Sequence, residues 1–189
     1  MSTILISHNP PWIGIPENWP YHGWATATAW AEDLLSELAR QIGEPDADDR
    51  KLLLDYLVLV AESRAQRNAS RSFIWIDGWK NPSYLADATI IPASLTHDIT
   101  LSELAGSGDP DAIEAPIVEE FVSHAGLRGV SSVRYLRTEG TDGLLVRADY
   151  VLPVPEGHLR LYTAQYDLVA FERVKPKLAE LAGTVSVVP

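Results

Sequence analysis

The chain has 189 residues, of which 46% are hydrophobic and 22% charged, with 26 acidic against 15 basic side chains and a formal net charge of -11. That composition supports one domain with a substantial core and excludes wholesale disorder. The acidity argues against a nucleic-acid or anionic-membrane surface, since both would repel the chain at long range, and the lack of cysteine excludes disulfides, thiolate metal sites and cysteine nucleophiles.

Residues 3–7 predict a short strand. This start has no basic n-region and only a brief apolar run, unlike a signal peptide, and no apolar stretch nears the ~20 residues that span a bilayer. The expected location is therefore the cytoplasm. Residues 8–24 follow as an arm whose prolines and glycines disfavour regular structure. It carries Trp12, Trp19, Tyr21 and Trp24, too much apolar area to leave in water, so it is expected to wrap over the core. The functional alternative is an aromatic groove in which these four side chains bind a partner, because Trp and Tyr dominate interface hot spots.

Residues 27–42 predict a helix with Trp30, Leu34, Leu35, Leu38 and Ile42 on its apolar face, ended by Gly43 and Pro45. Asp46 and Asp48 offer caps for a second helix to about Asn68, with Leu52, Leu53, Tyr56, Leu57 and Val60 at helical spacing. Arg64, Arg67 and Arg71 read as a solvated basic helix end, with an anion site as the alternative.

Residues 72–77 and 84–91 predict a hairpin turned at Gly78. Phe73, Trp75 and Asp77 share one strand face, which would set the Asp77 carboxyl beside an aromatic wall where its pKa rises. Asp77, Asp87 and Trp75 are thus the candidate pocket residues for acid–base chemistry. The competing reading is that Asp77 and Gly78 merely begin a turn. Residues 99–105 suggest a short helix before a hinge at Gly106 and Gly108. Pro116, Ile117, Val118, Phe121 and Val122 suggest another, running to about Ala125.

Residues 130–137 alternate as a strand, and a turn at residues 140–143 feeds the most regular stretch, residues 142–171. It predicts a long hairpin broken at residues 153–157, with Leu152 opposite Gly157, Tyr150 opposite Leu159 and Ala148 opposite Leu161 on the core side. Asp149 then meets Arg160 on the wet face. Asp167 is placed to cap a last helix with Phe171, Val174, Leu178 and Leu181 buried and a kink at Pro176, before a terminal strand at residues 184–188. The expected fold class is α+β, a mostly antiparallel sheet with helices packed on it. Within a single domain, the arm occupies residues 1–25, the helical pair 26–70 and the sheet with its helices 71–189.

The ending from Val146 to Val188, a strand, the turn of Pro153, Val154, Pro155, Glu156 and Gly157, a strand, a helix and a strand, resembles the closing half of the Mog1/PsbP-like α/β/α proteins and uncharacterised actinobacterial proteins that share it. The helix pair at residues 30–68 is similar to the same actinobacterial group. The resemblance implies an α/β/α sandwich and a binding or assembly role without catalysis.

No nucleophile elbow, phosphate-binding loop, dinucleotide fingerprint or His-Glu-x-x-His motif is present. His8, His22, His97, His124 and His158 fall at no shared ligand spacing, so neither metal nor cofactor is expected. The leading expectation is a non-catalytic protein-binding factor of the chaperone, immunity or secretion-accessory type. The alternatives are a small-molecule-binding protein or hydrolase with a pocket between sheet and helices, and a homodimer formed through the arm or an edge strand.

Overall fold

The computed structural model describes residues 3–8, 11–81, 83–138 and 143–189; the turn expected at residues 140–143 lies largely outside them. The hairpin of β7 (Leu144–Val154) and β8 (Gly157–Gln165) forms the middle of the main sheet. Period-two alternation sends Val146, Ala148, Tyr150, Leu152, Leu159 and Leu161 into the core, and Arg147, Asp149, Arg160 and Tyr162 to the opposite face. The register is two residues tighter than expected: Leu152 pairs with Leu159, Tyr150 with Leu161, and Asp149 with Tyr162. Val154 pairs with Gly157, so only Pro155 and Glu156 turn the chain. Pro153 is tolerated inside β7 because the ladder with the neighbouring strand stops at Val151, leaving Pro153 at the sheet margin. A slip of two residues keeps every side chain on its face, so hydrophobic alternation alone does not distinguish the two registers.

Five more strands extend this hairpin. β3 (Arg71–Ile76) and β4 (Ser83–Pro92) form the expected second hairpin, and β4 docks on β8. β6 (Arg128–Arg137) pairs with β7. Residues expected to form a helix after Pro116 instead make β5 (Ile117–Val122), an edge strand on β6. Ile117, Val118 and Val122 are β-branched and fit a pleated surface better than a helix, and Phe121 packs edge-on to Tyr150 with ring centres 4.8 Å apart. The arm is likewise more ordered than its composition suggests. β2 (Trp12–Ile15) is the opposite edge strand, paired with β3, and Pro11 and Pro16 bracket it without interrupting it. The order is β2-β3-β4-β8-β7-β6-β5, antiparallel throughout, beside a separate ribbon of β1 (Thr3–Ile6) and β9 (Val185–Val188).

Helices cover both faces. α4 (Leu168–Gly183), capped by Asp167 and continuous through Pro176, buries Phe171, Val174, Leu178 and Leu181 against the apolar face of β7 and β8. α1 (Ala27–Ile42) and α2 (Ala47–Glu62) lie on the other face at the β2-β3-β4 end, where Trp30, Leu35, Leu53 and Leu57 meet Ile15 and Ile74. Thr26 and Asp46 cap them. In α1 small residues, Ala27, Ala31 and Ala39, share the buried stripe while Ile42 stays exposed; in α2 Leu52 is 73% exposed and points to solvent. A short helix, α3 (Leu101–Leu104), lies over β6 and β7. None of the helices among the described residues is long and apolar enough to cross a membrane.

α2 ends at Glu62, short of the expected Asn68, and a 3-10 turn at Ala65–Arg67 follows. The arginines there form neither a solvated helix end nor an anion site. Arg64 donates to the carbonyls of Ala69, Ser70 and Glu17 at 3.0, 2.9 and 2.5 Å. Arg67 reaches Asp87 at 2.8 Å, and Arg71 lies 3.7 Å from Glu17. Arg64 and Arg67 close the connection into β3 by filling carbonyls that the turn leaves open.

Candidate functional site

Two features stand out. The first is a polar row across the sheet face that carries α1 and α2. Ser72, Asp87, Tyr162, Asp149 and Ser132 stand opposite one another on five successive strands. At one end Asp87, 3% exposed, accepts from Ser72 Oγ at 2.5 Å and from Arg67 Nε at 2.8 Å. At the other, the fully buried Asp149 accepts from Arg134 Nη2 at 2.7 Å, Arg147 Nε at 3.1 Å and Arg160 Nε at 2.6 Å. Burial pushes the Asp149 carboxyl up, but Arg147, Arg160 and Arg134 together outweigh it and hold the group below its ordinary value. Asp149 is therefore an ionised hub whose lone pairs are taken, and it is no proton shuttle.

Between the two carboxylates, Tyr162 carries the Arg147 guanidinium 4.0 Å from its ring centre. Burial raises the Tyr162 phenol, with the Asp87 charge adding to it. Tyr56 of α2, above the Asp87 end, is raised by burial too, with Arg67 opposing and Asp87 reinforcing.

Arg134, 4% exposed, spans the gap to the segment after α3: it also pairs with Asp109, while its Nε has no partner among the described residues. Gly106, at φ 89°, lies so close that a Cβ there would run into the Arg134 guanidinium. Ser132 Oγ donates to the Ala105 carbonyl at 2.6 Å and fixes the same segment. A recess of about 370 Å³ remains beside Arg134 and Arg160, walled by Glu103, Gly106, Gly108 and Asp109.

The second feature is an aromatic cleft of about 580 Å³. Tyr21 and Trp24 join by reciprocal backbone hydrogen bonds of 2.9 and 2.8 Å and stack 6.3 Å apart at an interplanar angle of 15°. Trp24 is held by its indole N–H donating to Asp33 at 3.2 Å. Ile13, Gly14 and Ile15 of β2 all line the cleft. Arg71, Ser72 and Phe73 of β3 line it too, so the cavity lies at the β2 end of the sheet, where β2 pairs only with β3 among the described residues.

Of the sequence-derived candidates, Tyr21 and Trp24 line this cleft, while Trp19 packs behind it on Trp30 with ring centres 6.3 Å apart. Trp12 is buried in the core on the α4 side, where its indole donates to the Lys177 carbonyl at 2.9 Å and its ring meets Trp75 edge-on at 6.5 Å. Trp75 stacks on Tyr84 at 4.6 Å. Asp77, beyond the end of β3 on the α4 side, lies 3.9 Å from Arg173. Asp87 faces the other way, so the two carboxylates do not converge. The Arg134–Asp109 link joins distant segments and carries no sequence signal, whereas Arg147, Asp149 and Arg160 already share a strand face by alternation. No group of three or more His, Cys, Asp or Glu among the described residues could hold a metal ion.

Compared with protein-family models and with curated protein sequences, the chain matches none.

Proposed function

We propose that this is a non-catalytic, cytoplasmic protein-binding factor that captures an extended segment of a partner along the outer edge of β2 and seats an apolar or proline side chain between Tyr21 and Trp24. The observation that carries this reading is the aromatic cleft beside β2, an edge strand that pairs only with β3 among the described residues. An open strand edge offers backbone hydrogen bonds and the adjacent aromatic cleft offers side-chain selectivity, the two parts of strand-addition recognition. Tyr21 is 43% exposed, so its ring is available to a ligand. The net charge of -11 draws a basic segment at long range. A chaperone, immunity or secretion-accessory role, and kinship with the Mog1/PsbP-like proteins, are in keeping with helices on both faces of an antiparallel sheet. The hydrolase alternative draws no support from Asp77 and Asp87, which lie on opposite faces.

Deleting the arm would remove β2 and the buried Trp12, so the informative variant is Tyr21→Ala with Trp24→Ala. Selection from a library of displayed extended peptides is expected to enrich aliphatic or proline residues flanked by Lys or Arg. The double variant should keep the wild-type circular dichroism and lose the selected peptides. Failure to enrich any peptide, or binding that survives in the variant, would overturn the reading.

A further inference from the structure

The recess beside the buried hub, on the opposite half of the sheet from the aromatic cleft, has hydrogen-bond donors left over. Three guanidiniums, Arg134, Arg147 and Arg160, meet two carboxylates, Asp149 and Asp109, and Glu103 in the wall brings the charges level. Arg160 uses only its Nε on Asp149, and neither of its terminal nitrogens has a hydrogen-bond partner among the described residues. Arg134 lacks a partner at Nε. Gly108, which also lines the recess, has a backbone N–H with no partner among the described residues, and nothing lies within 4 Å of where its Cβ would be. These unused donors all belong to residues that border one recess.

We propose that this recess binds a small organic molecule through a single carboxylate, received by the terminal nitrogens of Arg160 and the N–H of Gly108. A planar guanidinium matches a carboxylate with two parallel hydrogen bonds. The recess is open to solvent, and its volume of about 370 Å³ seats on the order of ten non-hydrogen atoms at about 30 Å³ per water-sized group. Charge limits the ligand. Glu103 stands in the wall with its carboxylate engaged by Thr100 N–H at 2.7 Å and Thr100 Oγ at 2.8 Å, and it repels a second negative group. A monocarboxylate is therefore favoured over a phosphate.

The test is a titration of the full chain, followed by amide and arginine Nε–H resonances, with acetate, lactate and benzoate, with their neutral amides, and with sodium chloride and inorganic phosphate at matched ionic strength. At least one carboxylate is expected to shift Gly108 and Arg160 saturably while its amide and chloride do not. Arg160→Met should weaken that binding about tenfold or more. Glu103→Gln retains the capping box, because Gln serves at that position as Glu does, and should admit phosphate that the wild type rejects. Shifts reproduced by chloride or by the amides, no saturable shift with any carboxylate, or an unchanged anion preference in Glu103→Gln would each overturn the proposal. The last readout stands even where Arg160→Met does not fold.

Discussion

Asp149 on β7 stands directly across from Tyr162 on β8, and Arg147 serves both, holding the carboxylate at 3.0 Å and covering the ring at 4.0 Å. One guanidinium thus ties a buried charge to an aromatic face. Removing the charge strands three arginines around a neutral group, and breaking a buried ionic network from one side costs about 3–5 kcal/mol. Asp149→Asn is expected to lose that much in urea unfolding at neutral pH. The folded carboxyl lies below its ordinary value of 3.8, so its contribution is full above that value and is lost as pH falls through the depressed folded value. The variant should show a flatter acid limb than the wild type; an identical limb would remove Asp149 as its source.

Arg67 and Asp87 make an asymmetric pair. Arg67 is 22% exposed and can turn to water, whereas Asp87, at 3%, cannot. Arg67→Met should therefore cost more, about 3 kcal/mol against about 1–2 kcal/mol for Asp87→Asn, which keeps a carbonyl oxygen for Ser72 and Arg67. A double-mutant cycle should give a coupling of about 1–3 kcal/mol. A coupling near zero would show that Asp87 finds another counter-charge.

The antiparallel sheet, the two front helices and the capped last helix were legible because each rests on local signals: alternation at Val146 to Leu152, caps at Asp46 and Asp167, and a stop at Gly43. What escaped depends on partners distant in the chain. Residues 117–122 satisfy a helical spacing as readily as a strand, and only β6 beside them decides. Trp12 reads like its neighbours Trp19 and Trp24, yet a strand partner and the Lys177 carbonyl draw it into the core. The buried hub was half legible: Arg147, Asp149 and Arg160 share a face by period, but Arg134 and Asp109 join them from segments no local pattern connects.

Burial raises Tyr56, Tyr150 and Tyr162 above the ordinary phenol value of 10.0, with Asp87 adding to the first and third and Glu119 to the second. A phenol raised in the folded state gives stability that is complete below the unfolded value and is lost as pH rises through the folded one. Stability should therefore decline on the alkaline side. Tyr162→Phe keeps the ring under Arg147, should change neutral stability by no more than about 1 kcal/mol, and should remove part of the alkaline decline. A decline unaltered in that variant would assign it to other groups.

Gly129 shows how closely β6 is drawn against β7. It pairs with Phe121 on β5, and a Cβ at this position would run into the Val151 carbonyl oxygen and touch Leu152 Cδ2 at 3.0 Å. The first of these is backbone and cannot swing aside, so Gly129→Ala must push the strands apart where the β6–β7 ladder ends, at Val130 and Val151. A loss of about 2–4 kcal/mol is expected. Gly108→Ala has open space around it and serves as the control, with a change within about 0.5 kcal/mol. Urea midpoints measured side by side separate the two. Similar midpoints for both variants would mean that the strands accommodate a methyl at residue 129, and that Gly129 is not required for their approach.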